Sequence, residues 1–170
     1  MTNLVIRERN LNDVNEFCEF LKKLDSEAEF MLLEKGERDV SSEKIFKNIK
    51  AVISNGDTCY VAVVNDKIIG YIIAIREKFI RTRHIANIVI GILEEYCNKG
   101  IGYNLFQEVF SWAKMNNIIK LELSVITENK RAVKLYTKLG FAIEGTRKKS
   151  TFINGKYFDD FYMAKITNMV

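Results

Sequence analysis

Three features of this sequence have residue types and spacings that could do chemistry. The first is the stretch Tyr96-Cys97-Asn98-Lys99-Gly100-Ile101-Gly102-Tyr103-Asn104, with two glycines one residue apart between an apolar run and a helical pattern. Successive backbone N–H groups in such a turn converge on an anion. The helix start adds the positive end of its dipole, and glycine removes the Cβ atoms that would hold a phosphate away. Lys99 adds a cation beside it. The same residues also make a plain left-handed turn, and locally both readings stand. A Walker loop is excluded, because no Gly-x-x-x-x-Gly-Lys-Ser/Thr run exists. A dinucleotide fingerprint is incomplete, because position 105 is Leu. The second feature is Tyr136, a weak acid whose neighbours Ala132, Leu135 and Leu139 equally describe an apolar helical stripe. The third is a scatter of titratable groups: His84, Cys97, and Glu27, Glu29, Glu34 and Glu37 in one acidic stretch. A thiol at a helix start can be activated. Histidine is the residue type that titrates near neutrality, although a lone histidine at a strand start also serves structure. An exposed acidic loop is an ordinary feature.

The elements that position these groups follow from periodicity. Leu4 to Arg9 alternates as a strand. Asn12 or Asp13 caps a helix with Asp13 and Glu16 spaced as a capping box, and Val14, Phe17, Cys18, Phe20, Leu21 and Leu24 form its stripe. Residues 25–40 are irregular. Ser41 or Ser42 starts a second helix with Ile45, Phe46, Ile49, Val52 and Ile53 on one face. Thr58 to Val64 and Lys67 to Arg76 form a hairpin around Asn65-Asp66. Ile85 to Leu93 reads as a buried strand. A helix follows the glycine turn, with Leu105, Phe106, Val109, Phe110, Trp112 and Ala113 on its stripe. Leu121 to Ile126 is a strand, and a further helix ends at Gly140 as its C-cap. Phe141 to Thr151 and Lys156 to Ile166 pair around Asn154-Gly155. The order β-α-α-β-β-β-α-β-α-β-β predicts a mixed, largely antiparallel α/β sheet with helices on both faces.

Composition narrows the classes. The chain has 170 residues, 48% hydrophobic and 28% charged, which suits one soluble domain spanning residues 1–170. No apolar run approaches the ~18 residues of a membrane span, and the N-terminus lacks a secretory pattern, so a cytoplasmic protein without membrane partners is expected. Three widely spaced cysteines and one histidine argue against a disulfide frame, a metal site or a Ser-His-Asp triad. A formal charge of +4 is too mild to imply nucleic acid, and the one short basic run, Arg147-Lys148-Lys149, reads as a solvated strand face.

From about Ile85 to Met163 the sequence resembles the GNAT acetyltransferase superfamily, whose members use acetyl-CoA. Three motifs carry the resemblance. Cys97-Asn98-Lys99-Gly100-Ile101-Gly102 stands where the family has Gln/Arg-x-x-Gly-x-Gly/Ala. "VITENKRAVKLYTKLGF", Val125 to Phe141, matches the strand, Asn and aromatic helix ending in Gly-Phe. "EGTRKKSTFINGKYFDDFYMAKI", from Glu144, looks like the final hairpin of the branch containing ribosomal-protein and polyamine acetyltransferases. The resemblance implies the GNAT fold and an N-acetyltransferase that passes the acetyl group of acetyl-CoA to a primary amine by direct attack in a ternary complex. It assigns the donor to the backbone of Ile90 and Ile92 on a bulged central strand, to Cys97, Asn98, Lys99, Gly100, Ile101, Gly102 and Tyr103 around the pyrophosphate, and to Asn129 and Ala132. It assigns Tyr136 as the acid that protonates the departing thiolate. A Tyr pKa near 10 lies just above a thiol's ~8.5, so that transfer is nearly balanced.

Two positions depart from the family pattern. Cys97 replaces Gln/Arg, a position that works mainly through its backbone amide. Asn87 stands where members often carry a strand Glu near the acceptor amine, so the general base lies elsewhere, at His84 or through a water chain. The acceptor is a small amine (polyamine, amino sugar, amino acid) or a protein N-terminus, and the final hairpin implies a possible homodimer. A non-catalytic acyl-CoA-binding regulator on the same fold is the rival reading.

Overall fold

The computed structural model describes residues 3–33 and 35–167. The elements run β1 (Leu4–Glu8), a one-turn 3-10 helix (Leu11–Asp13), α1 (Val14–Glu27), α2 (Ser42–Asn55), β2 (Thr58–Val64) and β3 (Lys67–Arg76). They continue with β4 (Ile85–Ile92), a second 3-10 turn (Glu94–Tyr96), α3 (Ile101–Met115), β5 (Lys120–Ile126), α4 (Lys130–Lys138), β6 (Ala142–Ile153) and β7 (Lys156–Ile166). The seven strands follow the order β1-β2-β3-β4-β5-β7-β6. The β4–β5 pair is parallel, while β1–β2, β2–β3, β5–β7 and β6–β7 are antiparallel. This is the mixed, mostly antiparallel sheet that the sequence order predicts.

The chain divides into two compact units, one of residues 1–75 and 89–112, the other of residues 76–88 and 113–170. In the first, α1 buries Phe17, Cys18, Phe20, Leu21 and Leu24. Phe17 and Phe20 each meet Tyr71 edge-on, with centroids 5.5 and 5.8 Å apart. The start of α1 differs from the sequence expectation. Asn10, not Asn12 or Asp13, caps the 3-10 turn, and the box is closed between Asn10 and Asp13. The Asp13 carboxylate is committed to Arg7 at 2.6 and 2.8 Å and to the Asn10 N–H at 2.8 Å, so it has no role as the expected helix cap. α2 begins as expected at Ser41, whose Oγ accepts from the Lys44 N–H. Its buried stripe is narrower, because Phe46 and Ile53 are 39% and 61% exposed, and Lys50 lies over the Phe46 ring. Asn65 and Asp66 both take positive φ, 49° and 63°, the pair that a two-residue hairpin with right-handed twist requires, and Asn and Asp tolerate it. The residue 28–41 connector is pinned by Arg38, which grips the buried Asp25 of α1 at 2.7 and 3.1 Å.

In the second unit, Ile118, Leu121, Leu123, Phe141 and Met163 are buried. α4 is capped by Asn129, and Gly140 takes φ 88° just past its end, as expected. β6 is an edge strand, exposed along residues 142–150 and irregular in register between Arg147 and Thr151. Two carboxylates of β7 tie it down: Asp159 takes Lys148 and the Lys149 N–H, and Asp160 takes Arg147 and Thr151.

Candidate active site

The glycine stretch folds as a 3-10 turn, a short extended step and the start of α3. Two contacts fix the 3-10 turn to α1. Glu27 accepts the Glu94 N–H at 2.6 Å, and Lys23 pairs with Glu95 at 2.7 Å. Cys97 donates its N–H to the Glu94 carbonyl at 3.1 Å, and its Sγ lies 3.7 and 3.6 Å from the Ile92 and Leu93 carbonyls. The Cys97 N–H is thus engaged in closing the turn.

Asn98 and Gly100 take positive φ, 59° and 79°, which swings the chain into α3. The Asn104 N–H makes the first helical bond, to the Gly100 carbonyl at 3.1 Å. The helix itself supplies no acceptor for the N–H groups of Ile101 and Gly102 in its first turn. A methyl built on Gly100 would meet nothing within 4 Å, so the approach is open. Lys99 is exposed, with Nζ 5.2 Å from the Tyr96 ring, and Tyr103 is 44% exposed. Backbone donors, a helix start and a cation thus converge where an anion can enter.

On β4, Ile90 and Ile92 are half-buried and Gly91 is fully enclosed. A Cβ at Gly91 would lie 2.6 Å from Leu24 Cδ2 and 2.9 Å from Tyr71 Cε1, so this strand packs too closely on α1 and β3 for any side chain there. The main chain is what β4 has to offer a ligand at this point.

The remaining expected residues belong to the second unit. Asn129 Oδ1 accepts the Ala132 N–H at 3.2 Å, which settles its capping role and commits the Ala132 amide to the helix. Tyr136 is 7% exposed, with its ring 6.1 Å from that of Phe141. Burial pushes its phenol well above the ordinary range. The hydroxyl therefore stays protonated in the folded chain.

The His84 carbonyl accepts from the Ile119 and Lys120 N–H groups, and His84 lines a hollow of about 320 Å³ with Arg76, Arg83, Asn116 and Asn117. Asn87 donates from Nδ2 to Glu77 Oε1 at 2.8 Å. That contact joins the residue just past the end of β3 to β4, ten residues on. Of the acidic connector, Glu27 is used by the 3-10 turn, Glu29 and Glu37 are exposed, and Glu34 lies outside the described residues. Among the described residues, no group of three or more His, Cys, Asp or Glu is arranged to hold a metal, and no helix is long and apolar enough to cross a membrane.

Comparison with known proteins fits this arrangement. Residues 18–141 match the model of the Acetyltransferase (GNAT) family. A solved GNAT-family acetyltransferase from Streptococcus pneumoniae is 32% identical, with a TM-score of 0.93 over 98% of this chain and 100% of that one. The chain is 33% identical over 110 residues to the L-amino acid N-acetyltransferase AaaT of Escherichia coli, covering 62% of this chain and 66% of that relative. It is 37% identical over 73 residues to the spermidine N(1)-acetyltransferase of the same organism, covering 42% of this chain and 39% of that relative. The chain therefore spans about two thirds of one of these relatives and well under half of the other. It belongs to the GNAT acetyltransferase family.

Proposed function

We propose that this chain, acting as one domain over residues 1–170, transfers the acetyl group of acetyl-CoA to a primary amine. The observation that carries the reading is the start of α3: positive φ at Gly100, open space beside it, and first-turn N–H groups at Ile101 and Gly102 with Lys99 alongside. That chemistry suits a pyrophosphate. The enclosed Gly91 supports a donor arm held by the main chain of β4 at Ile90 and Ile92. Asn129 spends its oxygen on the α4 cap and keeps its amide hydrogens for a carbonyl of the donor.

When acetyl-CoA is bound, it supplies an activated thioester. A neutral amine attacks the carbonyl carbon, the C–N bond forms, and the C–S bond breaks. Tyr136 in this reading gives its hydroxyl hydrogen to the sulfur as negative charge builds there. Its raised pKa keeps the hydroxyl protonated at working pH, so that its hydrogen is present when the thiolate leaves.

The names of the relatives favour a small amine, an amino acid or a polyamine, over a protein N-terminus. The test is a thermal-shift titration with acetyl-CoA, followed by thiol release with amino acids, polyamines, amino sugars and an N-terminal peptide. Stabilisation and turnover are expected. Stabilisation without turnover identifies a non-catalytic acyl-CoA-binding regulator, and no stabilisation ends both readings.

A further inference from the structure

The hollow at His84 is built by two segments of the second unit, the β3–β4 connection and the turn after α3. Backbone hydrogen bonds hold both in place. The Glu77 N–H donates to the Ile85 carbonyl at 2.9 Å and closes the connection at its base. Within it, the Thr82 N–H reaches the Phe79 carbonyl at 2.9 Å and the Ile85 N–H reaches the Thr82 carbonyl at 2.8 Å, two successive turns. The His84 carbonyl ties the connection to the residues entering β5, taking the Ile119 and Lys120 N–H groups at 2.8 and 3.1 Å. On the other side, the N–H groups of Asn116 and Ile118 both go to the Ala113 carbonyl, and Asn117 takes φ 56°. That is the left-handed helix stop at which glycine is usual. Asparagine tolerates the same backbone and, unlike glycine, carries an amide that can donate.

The five lining residues, Arg76, Arg83, His84, Asn116 and Asn117, carry two guanidiniums, one imidazole and two carboxamides, and none carries a carboxylate. The only acid of residues 76–88 is Glu77, whose carboxylate is held by the Asn87 amide at 2.8 Å. Lys78 and Arg81 add cations to the same connection. Sites for neutral molecules are lined mostly by apolar side chains. This one gathers planar N–H forks, which match the oxygens of a phosphate. Asn116 follows α3 directly, and a helix end carries about half a negative charge. Two full guanidinium charges outweigh it. The volume of about 320 Å³ stands at the lower end of the roughly 300–1,000 Å³ of small-molecule sites. It has room for a phosphate with a small organic remainder, whereas a nucleic acid needs a long groove with stacking aromatics.

We propose that this hollow binds a phosphate group, carried as inorganic phosphate or as the monoester of a small molecule. Arg76 and Arg83 take its oxygens, and the Asn117 amide donates beside them. The site is separate from the glycine stretch, which leads into α3, whereas Asn116 and Asn117 follow its last residue. No covalent bond changes, and the inference stands whether or not the chain transfers acetyl groups.

The experiment is calorimetric titration of the full chain with inorganic phosphate and, separately, with a hexose phosphate at fixed ionic strength, comparing wild type with R83Q, R83K and N117G. Arg83 is exposed, so R83Q should keep its Tm while phosphate binds roughly 10- to 100-fold more weakly. R83K keeps the charge but not the fork and should fall between the two. N117G keeps the left-handed backbone at less strain, so its Tm holds or rises while affinity falls about 2- to 10-fold. A purely structural Asn117 predicts no loss of affinity there. The tighter of the two phosphates identifies the source. Wild-type affinity in both R83Q and N117G overturns the site, as does the absence of binding by either phosphate. Binding of a single-stranded RNA oligomer that R83Q abolishes, with neither small phosphate bound, replaces it with a nucleic-acid surface. If R83Q weakens acetyl-CoA by the same factor as phosphate, the hollow holds a phosphate of the donor and the separate site is overturned.

Discussion

Replacing Gly100 by alanine separates folding from donor binding at the loop that carries the proposed function. Gly100 has φ 79°, and an added Cβ meets nothing within 4 Å, so the cost to folding is the left-handed backbone alone. That strain is about 1–2 kcal/mol for a non-glycine residue, which for a chain of this length lowers Tm by roughly 2–8 °C. Gly155, at the tip of the β6–β7 hairpin, has φ 80° and the same open surroundings, so Gly155→Ala carries the same strain at a different place. The two variants are expected to fall together in Tm. They are expected to part in affinity. Alanine at 100 pulls the backbone out of the left-handed region and re-aims the N–H groups of Ile101 and Gly102. Loss of one hydrogen bond to a charged group costs about 1.5–3 kcal/mol, or roughly 10- to 100-fold in Kd. Calorimetric titration with acetyl-CoA reads this directly. Gly100→Ala with a wild-type Kd and the same Tm drop as Gly155→Ala refutes the role given to the α3 start.

Other expected outcomes follow from particular contacts. Tyr136→Phe keeps the ring against Phe141, so acetyl-CoA affinity should hold while kcat falls about 100-fold; an unchanged kcat across pH removes Tyr136 from the mechanism. Gly91→Ala places a methyl 2.6 Å from Leu24 Cδ2 and should cost about 1–3 kcal/mol by denaturant titration. Arg38→Ala leaves Asp25, whose side chain is 5% exposed, without its guanidinium, and should cost roughly 3 kcal/mol; replacing both by apolar residues should recover most of it. Burial works to raise the Asp13 carboxyl, but the hydrogen bonds from Arg7 and the Asn10 N–H outweigh it and hold the pKa below the ordinary value. A depressed folded-state pKa contributes stability above the unfolded value and loses it as pH falls through the folded one. Asp13→Asn should therefore lower Tm near neutrality and flatten its decline below about pH 4.

Where local chemistry decides the structure, the sequence was a good guide. Asn65-Asp66 and Asn154-Gly155 are turn pairs suited to positive φ, and Ser41, Asn129 and Gly140 stop or start helices by their own hydrogen bonds or backbone freedom, so all of these elements fell where expected. The glycine stretch was legible for the same reason. What misled was competition for one group. Asp13 has the right type to cap α1, but Arg7, brought beside it by β1, takes the carboxylate. Phe46 and Ile53 have helical spacing yet lie at the margins of the buried stripe, which periodicity does not resolve. The Glu77–Asn87 contact left no signal in sequence, because it joins residues ten apart across the β3–β4 connection.

The central claim, acetyl transfer from acetyl-CoA to a primary amine, is tested most directly by incubating the purified chain with acetyl-CoA and amino acid, polyamine and amino sugar acceptors, following free thiol and identifying the acetylated amine by mass spectrometry. The account predicts amine-dependent thiol release with matching N-acetylated product. Thiol release that no amine stimulates, or none at all despite bound acetyl-CoA, contradicts it.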